Sequence, residues 1–296
     1  MKQTSFRTHV TVINIVALFV VILCSCTTTL AKPWQLYGTG SNGEGLSTLY
    51  RINVHTGAAK ALDDFTSVDT IDGARGLAFD TDNRILYAIA QTHPLPTQSF
   101  RGLFTVDPKT AVSSLIGITD SFETLITGGL TYDSNHGILY ATGLLTSGFT
   151  VRSAVFTVDP VTGATSVVSV HVPFHIDSGG LAYDPEHDIM YATGIVGSSL
   201  DQSGLFVINV KSHSTTLIGF QTPDAFLGLG GLALDPSTGL LYATGYDLTN
   251  LGTDPRRSFL YVVDPVTGSA TKVGPTGQIG IEFGKLTFVP AGKSDK

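Results

Sequence analysis

The stretch GLAYDPEHDIMYATG, residues 180–194, recurs three more times along the chain. Its counterparts are GLAFDTDNRILYAIA at 76–90, GLTYDSNHGILYATG at 129–143 and GLALDPSTGLLYATG at 231–245. The copies therefore start 53, 51 and 51 residues apart. A fixed period of this size is typical of folds that repeat one supersecondary unit. The repeat is therefore the strongest guide to the architecture.

Each copy predicts a strand, a turn and a second strand, because a Pro-, Asp-, Asn- or Gly-containing turn separates two short apolar runs. A third strand follows in step, for example Val155-Phe-Thr-Val-Asp159. A fourth strand follows a second turn, for example Thr216-Leu-Ile-Gly219. We label the four strands of a unit A, B, C and D in this order.

The two ends of the chain together complete one further unit. Leu36-Tyr-Gly-Thr-Gly40 predicts a B strand, Leu49-Tyr-Arg-Ile-Asn53 a C strand and 59–62 a D strand, whereas Gly284-Lys-Leu-Thr-Phe288 predicts a lone A strand. Such short four-stranded sheets cannot bury both faces alone, but a ring of them leaves only protected edges. The sequence thus predicts an all-β, five-bladed β-propeller with four antiparallel strands per blade, in which the C-terminal strand closes the N-terminal blade.

One aromatic residue recurs in every predicted B strand and another in every predicted C strand. We expect all ten to pack in the cores between blades, since these are the surfaces that the ring must bury. They are Tyr37, Tyr87, Tyr140, Tyr191 and Tyr242 on B, and Tyr50, Phe104, Phe156, Phe206 and Tyr261 on C.

These strand–turn–strand units resemble those of the bacterial NHL, YVTN and quinoprotein-like β-propeller repeat proteins, in which motifs like LYALDAxTG are common. The resemblance covers essentially the whole mature chain and implies the fold, with A as the innermost strand and D as the outermost. It carries over no cofactor, because the period here is longer and no tryptophan recurs in each repeat. We therefore expect no cofactor.

The N-terminus predicts export. Lys2 and Arg7 precede an apolar run from Val10 to Leu23, which is the pattern of a signal peptide. Cleavage could follow Ala31, or the segment Leu23-Cys24-Ser25-Cys26 could serve as a bacterial lipobox with Cys26 lipidated. We expect a leader over 1–31, a propeller over 32–290 and a tail over 291–296, in a protein that is periplasmic, extracellular or lipid-anchored to the cell envelope.

Cysteine usage and charge exclude several classes of function. The only two cysteines, Cys24 and Cys26, lie in the predicted leader, so the mature domain has no disulfide and no cysteine-based metal site or nucleophile. Removing Lys2 and Arg7 leaves 15 basic and 24 acidic residues, a net charge of −9. Such a domain repels phosphate backbones, so we expect no nucleic-acid partner. We expect a monomer that touches a membrane only through a lipid on Cys26.

The predicted connections differ between the two faces of the ring. The A-to-B and C-to-D turns are short and rich in Asp, Pro and Gly, so we interpret their residues as structural. The B-to-C and D-to-A connections are longer and do not repeat. Irregular loops on a repeating scaffold are where specificity usually lies. We name the two surfaces the turn face and the loop face, and we place the candidate site on the loop face.

Residues that depart from the repeat are the first candidates for that site. Three A strands begin with Gly-Gly, but the second unit has Arg75-Gly76 and the last A strand has Gly284-Lys285. We predict that Arg75 and Lys285 point into the channel mouth, near Asp72, Asp177 and Glu282. They would either anchor a ligand or form ion pairs with these carboxylates.

The remaining candidates are His171, His175 and Tyr246. The two histidines and Asp177 lie within seven positions of one loop, yet no spacing rule selects a metal there, so we predict ligand contact and no metal. Tyr246 stands outside the repeating tyrosine positions.

Two functions remain open from the sequence. The favoured one is a non-catalytic recognition propeller that binds a glycan, a peptide or a protein through its loop face. The alternative is a hydrolase or lyase that uses Asp, Glu and His side chains at the channel mouth.

Overall fold

The computed structural model describes residues 33–41, 47–66, 71–95, 98–121, 124–168, 172, 175–176, 178–196, 202–221, 225–228, 230–247, 257–279, 281 and 284–291. By its internal contacts, Lys32–Lys296 forms one unit, separate from Met1–Ala31. Within the described residues no helix is long and apolar enough to cross a membrane. The leader and its residue Cys26 lie outside the described residues, so their nature stays a prediction.

Strands account for nearly all the regular structure of the described residues. In chain order they are β1 Trp34–Ser41, β2 Ser47–Ile52, β3 Ala59–Asp64, β4 Ile71–Asp80, β5 Ile85–Leu95, β6 Gln98–Val106, β7 Ser113–Ile118, β8 Thr124–Asp133, β9 Ile138–Ser147, β10 Thr150–Val158, β11 Thr165–Val168, β12 Leu181–Asp184, β13 Ile189–Ile195, β14 Ser203–Asn209, β15 Ser214–Phe220, β16 Ala225–Phe226, β17 Leu232–Leu234, β18 Leu241–Asp247, β19 Arg257–Val263, β20 Ala270–Ile279 and β21 Leu286–Pro290.

These strands form five antiparallel blades, as the sequence predicts. The blades are β21-β1-β2-β3, β4-β5-β6-β7, β8-β9-β10-β11, β12-β13-β14-β15 and β17-β18-β19-β20, each written from strand A to strand D. The short strand β16 pairs with the far end of β18. The C-terminal strand β21 pairs with β1 from Trp34↔Pro290 to Gly38↔Leu286 and so completes the first blade. The five-bladed propeller closed by its tail is therefore confirmed.

The A strands form the inner ring. Each contacts the A strand of the next blade, in the order β21, β4, β8, β12, β17 and back to β21. Glycine permits this approach, since a Cβ on Gly180 would lie 2.1 Å from the backbone nitrogen of Leu232. A Cβ on Gly129 would likewise lie 2.4 Å from the nitrogen of Leu181. Because the obstacles are backbone atoms, no side-chain rotation could relieve them.

The apolar core is divided among the blade interfaces. Each of five buried clusters combines side chains of two adjacent blades. Tyr87 on strand B packs with Leu130 of the following blade, and Phe206 on strand C packs with Val155 of the preceding blade. All ten recurring aromatics are buried, the most exposed being Tyr191 at 8%. Their predicted place in the blade cores is confirmed.

Carboxylates and amides close the turns of the turn face. The Oδ1 atoms of Asp80, Asp133 and Asp184 accept backbone N–H groups two and three residues later. At the C-to-D turns, Asn53 and Asp159 accept the same pair of N–H groups. This is the local bonding that favours Asx residues in turns, so their structural interpretation is confirmed.

The glycine contact between inner strands yields a stability prediction. We expect Gly180→Ala to lower the free energy of unfolding by about 3 kcal/mol or more, because its methyl group would overlap the backbone of the next blade. Val266→Ala, at a side chain that is 80% exposed, is the control and should change it by less than about 0.5 kcal/mol. Urea unfolding of both variants measures the difference, and equal stability would contradict this account of the ring.

Candidate functional site

At the loop face, the inner strands separate locally from their B strands. The pairing register of β8 with β9 shifts between Ile126 and Leu130, where the Gly-Gly pair lies. A threonine hydroxyl of strand B then accepts the N–H of the second glycine. The pairs are Thr142 with Gly129 at 3.0 Å, Thr193 with Gly180 at 2.8 Å and Thr244 with Gly231 at 2.9 Å. The recurring Thr-Gly of the repeat is therefore a structural element of this bulge.

Lys285 replaces the glycine in the first blade and keeps the same backbone bond. Its N–H donates to the hydroxyl of Thr39 at 2.9 Å. Its Nζ donates to the carbonyl oxygens of Ser178 at 2.6 Å, Gly179 at 3.2 Å and Gly230 at 3.2 Å. Ser178 and Gly179 belong to the fourth blade, which is not adjacent to the first, so the side chain crosses the channel.

The ammonium of Lys285 therefore links three blades at the loop-face end of the channel. The residue is only 3% exposed. A buried ammonium is tolerated where hydrogen bonds replace its hydration, and three backbone carbonyls supply them here. The predicted role of Lys285 in holding a ligand stays a prediction.

The other described candidates lie in three different blades. Arg75 is half-buried on β4, and Asp72 lies on the same strand with its backbone opposite Gln91. His175 is exposed and its backbone pairs with Ile195 in the fourth blade. Tyr246 lies on β18, half-buried, and its carbonyl accepts the Tyr261 hydroxyl at 2.9 Å. His171, Asp177 and Glu282 fall outside the described residues.

A cluster on the turn face offers ligand atoms of the kind that metals bind. Asp133, His136 and Asp188 each place one such atom within 4.8 Å of the others. The His136 Nδ1 lies 2.9 Å from Asp133 Oδ2, yet the next blade repeats this contact between His187 and Asp184 at 2.8 Å. The contact is therefore a recurring part of the turn, and we interpret it as structural.

Asp188 in that cluster already has charged and polar partners. It accepts hydrogen bonds from the Lys211 ammonium and from the Tyr183 hydroxyl. The bond from Lys211 contributes most to lowering the pKa of Asp188, and burial with the bond to Asp188 raises the pKa of Tyr183. Asp188 has φ of 54°, at a position where two other blades have glycine (Gly137 and Gly239) and the second blade has Arg84, all at positive φ. Its carboxylate thus serves to hold the blade-four turn.

A cavity of about 700 Å³ opens on the turn face, at the mouth of the central channel. The inner strands of all five blades line it, together with the A-to-B turns of the fourth and fifth blades. Sequence reasoning placed no site on this face, because short repeating turns carry no sign of a ligand. The one available signal was Trp34, the only tryptophan in the chain, which lines the cavity.

On the loop face, the strands of two B-to-C connections stay paired far beyond the blade, where irregular loops are expected. β5 and β6 remain paired as far as Leu95↔Gln98, and β9 and β10 remain paired as far as Ser147↔Thr150. The turn between β9 and β10 is only Gly148-Phe149, and Gly148 has φ of 60°. Phe149 at this apex is fully exposed, at 109% of its reference area.

Comparisons with known proteins add little to this geometry. No protein-family model matches the chain, and no curated protein matches it. The chain resembles TolB from Acinetobacter baumannii with 10% identity and a TM-score of 0.48, covering 86% of this chain and 57% of that one. It thus spans just over half the length of that protein.

A second likeness is to a proposed 6-phosphogluconolactonase from Bacteroides fragilis. The identity is 13% and the TM-score 0.40, over 89% of this chain and 99% of that one. At such identities a likeness does not extend to function. The resemblance to NHL, YVTN and quinoprotein-like repeats therefore stays at the level of the propeller fold.

The bonds of Lys285 yield a second prediction. We expect Lys285→Met to lower the free energy of unfolding by about 1–3 kcal/mol, since it leaves buried carbonyls without a donor. Lys109→Met, which removes an exposed lysine, should change it by less than about 0.5 kcal/mol. Chemical denaturation compares the two, and a Lys285→Met variant as stable as the control would contradict the bridging role.

The turn carboxylates yield a pH prediction. Backbone N–H groups that donate to Asp159 and Asp264 lower the pKa of each below 3.8. A lowered folded-state pKa stabilises the fold above the unfolded-state pKa, and this stabilisation is lost as pH falls through the folded-state value. Asn53 already holds the equivalent turn without a charge. The double variant Asp159→Asn/Asp264→Asn should therefore lose less stability than the wild type between pH 5 and pH 3, in urea titrations, and an unchanged pH dependence would contradict this.

Proposed function

We propose that this protein is an exported, non-catalytic recognition propeller that binds a protein partner through its loop face. The observation that carries the proposal is the hairpin of β9 and β10, which presents Phe149 fully exposed at its apex. The predicted leader supports export to the periplasm, the cell exterior or the envelope surface. The predicted loop-face residues Arg75, Asp72, His171, His175, Asp177, Tyr246, Glu282 and Lys285 remain part of this proposal.

The hairpin has the properties of a preformed contact element. Ladder pairing as far as Ser147↔Thr150 and a two-residue turn hold Phe149 in place, so little ordering entropy is lost on binding. Val151, 60% exposed on the same hairpin, extends the apolar surface. Burying an exposed Phe side chain releases about 1.5–3 kcal/mol.

An apolar anchor of this kind favours a protein partner over a glycan. Aromatic side chains that enter a complementary pocket supply much of the affinity of protein interfaces. Exposed Arg152 beside Val151 adds a charge that can fix orientation at the rim of such an interface. The net charge of −9 after removal of the leader keeps nucleic acid outside this proposal.

No observation on the described residues favours the hydrolase or lyase alternative. His171, Asp177 and Glu282, on which it depends, fall outside those residues. The carboxylates of Asp184 and Asp235, which line the turn-face cavity, accept N–H groups of their own turns.

The proposal is tested by placing a photo-cross-linking amino acid at position 149 in cells and identifying the attached protein. That protein is then purified, and its dissociation constant is measured against the wild type and two single variants. Phe149→Ala should weaken binding by about 30-fold, the effect of losing a hot-spot residue.

Phe220→Ala is the matched control, because Phe220 is a 51% exposed phenylalanine on the outer strand β15 of another blade. It should leave the affinity within about twofold of the wild type. The proposal fails if Phe149→Ala binds the identified protein as tightly as the wild type does, or if no protein is attached at position 149.

A further inference from the structure

We propose that the turn-face cavity is a binding site for a neutral carbohydrate, separate from the protein-binding loop face. The cavity lies at the opposite end of the channel from Lys285 and is formed by all five blades. Its volume of about 700 Å³ is within the range of ligand sites in proteins. The proposal does not depend on the proposed function, since the two sites share no residue.

The floor of the cavity is apolar. It consists of one leucine from each inner strand, all at most 2% exposed: Leu77, Leu130, Leu181, Leu232 and Leu286. Lys285, the residue before Leu286, lies on the loop-face side of this floor. Its side chain crosses the channel to the fourth and fifth blades. The cavity is thus a cup whose mouth is on the turn face.

Aromatic side chains form the wall above this floor. Two residues after each leucine, the inner strands of four blades carry Phe79, Tyr132, Tyr183 and Phe288, and all four line the cavity. Trp34 adds a fifth ring at the start of β1. Phe79, Tyr183 and Phe288 are only 5–8% exposed, whereas Trp34 and Tyr132 are half-buried. Trp34 and Tyr132 are therefore the rings that can stack on the apolar C–H face of a pyranose sugar.

Polar side chains accompany these rings. Hydroxyl groups line the cavity at Thr81, Ser134, Ser237, Thr238 and Thr287. The backbone is less available, since the N–H of Tyr183 already donates to the Thr131 hydroxyl of the neighbouring blade at 3.0 Å. The hydroxyl groups can donate hydrogen bonds to sugar hydroxyls and accept them.

The charges at the mouth disfavour an anionic ligand. Asp184 and Asp235 line the mouth, and each accepts N–H groups of its own turn. Glu186 adds an exposed carboxylate, and the His187 ring is held by Asp184. A phosphate or carboxylate would meet these negative charges without a lysine or arginine among the cavity-lining residues.

The combination of features selects the chemical class. The apolar floor and aromatic wall can contact C–H faces, the hydroxyls of Ser134 and Thr287 can accept or donate hydrogen bonds, and the mouth opposes negative charge. A neutral mono- or disaccharide offers apolar C–H faces to the rings and hydroxyl groups to the polar side chains. A purely apolar ligand would leave the lining hydroxyls without partners, which costs binding free energy.

Trp34 provides a direct test, because it is the only tryptophan and lies in the cavity wall. The fluorescence of the full chain is titrated with glucose, N-acetylglucosamine and cellobiose, and with glucose 6-phosphate and glucuronate as charged counterparts. We expect a saturable change with at least one neutral sugar and at least about tenfold weaker binding of the charged counterparts.

Two variants fill the cup and one controls for added bulk. Thr287→Tyr and Ser134→Tyr place a ring in the cavity, and each should weaken sugar binding at least about tenfold. Val266→Tyr adds the same ring on the turn face outside the cavity and should bind as the wild type does. Phe149→Ala should also bind sugar normally, which separates this test from that of the loop face.

Three results would overturn the proposal. One is the absence of any saturable Trp34 change or rise in unfolding temperature with all three neutral sugars. Another is equal or tighter binding of the phosphorylated or carboxylated sugar, which would contradict the neutral class. The third is unchanged sugar binding in both cup-filling variants. The comparison of neutral and charged sugars uses wild-type protein, so it remains decisive even if a variant does not fold.

Discussion

The pairing of β21 with β1 is the constraint on which the rest of this structure depends. It supplies the inner strand of the first blade and places Leu286 between the second and fifth blades. Without that strand, the inner strands β4 and β17 would each lose a neighbour and the apolar cluster around Leu36 and Phe288 would open. In the closed ring, each blade buries both of its faces against the two neighbouring blades. This burial is why a chain of short strands can be stable.

Closure also determines what the two ends of the channel can do. At the loop face, the inner strands bulge away from their B strands, so the carbonyls of Ser178, Gly179 and Gly230 are available to the ammonium of Lys285. At the turn face, the same strands diverge above a floor of leucines and leave a cup. One end is thus bridged and the other is open, although the same five strands form both.

The two proposed sites follow from this difference. The loop face extends outward in a hairpin with an exposed Phe149, which suits a flat or pocketed protein surface. The turn face is concave, with rings and hydroxyl groups around a space suited to a small ligand. Protruding elements suit large protein partners, and concave surfaces suit small ligands. In each case much surface is buried on binding while little conformational entropy is lost.

The blades could be predicted from local features of the sequence. Strand alternation, Asx-containing turns and the spacing of about fifty residues act locally, so residues such as Asp159 and Tyr140 could be assigned without coordinates. The glycine pair and the Thr-Gly of three repeats were also visible. Their reasons, contact between blades for the glycines and the bond to the inner strand for the threonines, were not.

The groups that meet across the channel could not be predicted in this way, because they come together only in the folded ring. Lys285 and Ser178 lie 107 residues apart, and the cup joins five strands from the whole length of the chain. No local pattern encodes such distances, because they depend on the closure and curvature of the ring. The connection between β9 and β10 was likewise expected to be an irregular loop, because its residues do not repeat. In the structure the two strands instead stay paired as far as the two-residue turn. The repeats thus specify the scaffold, whereas the contacts of the residues that depart from the repeat depend on closure of the ring.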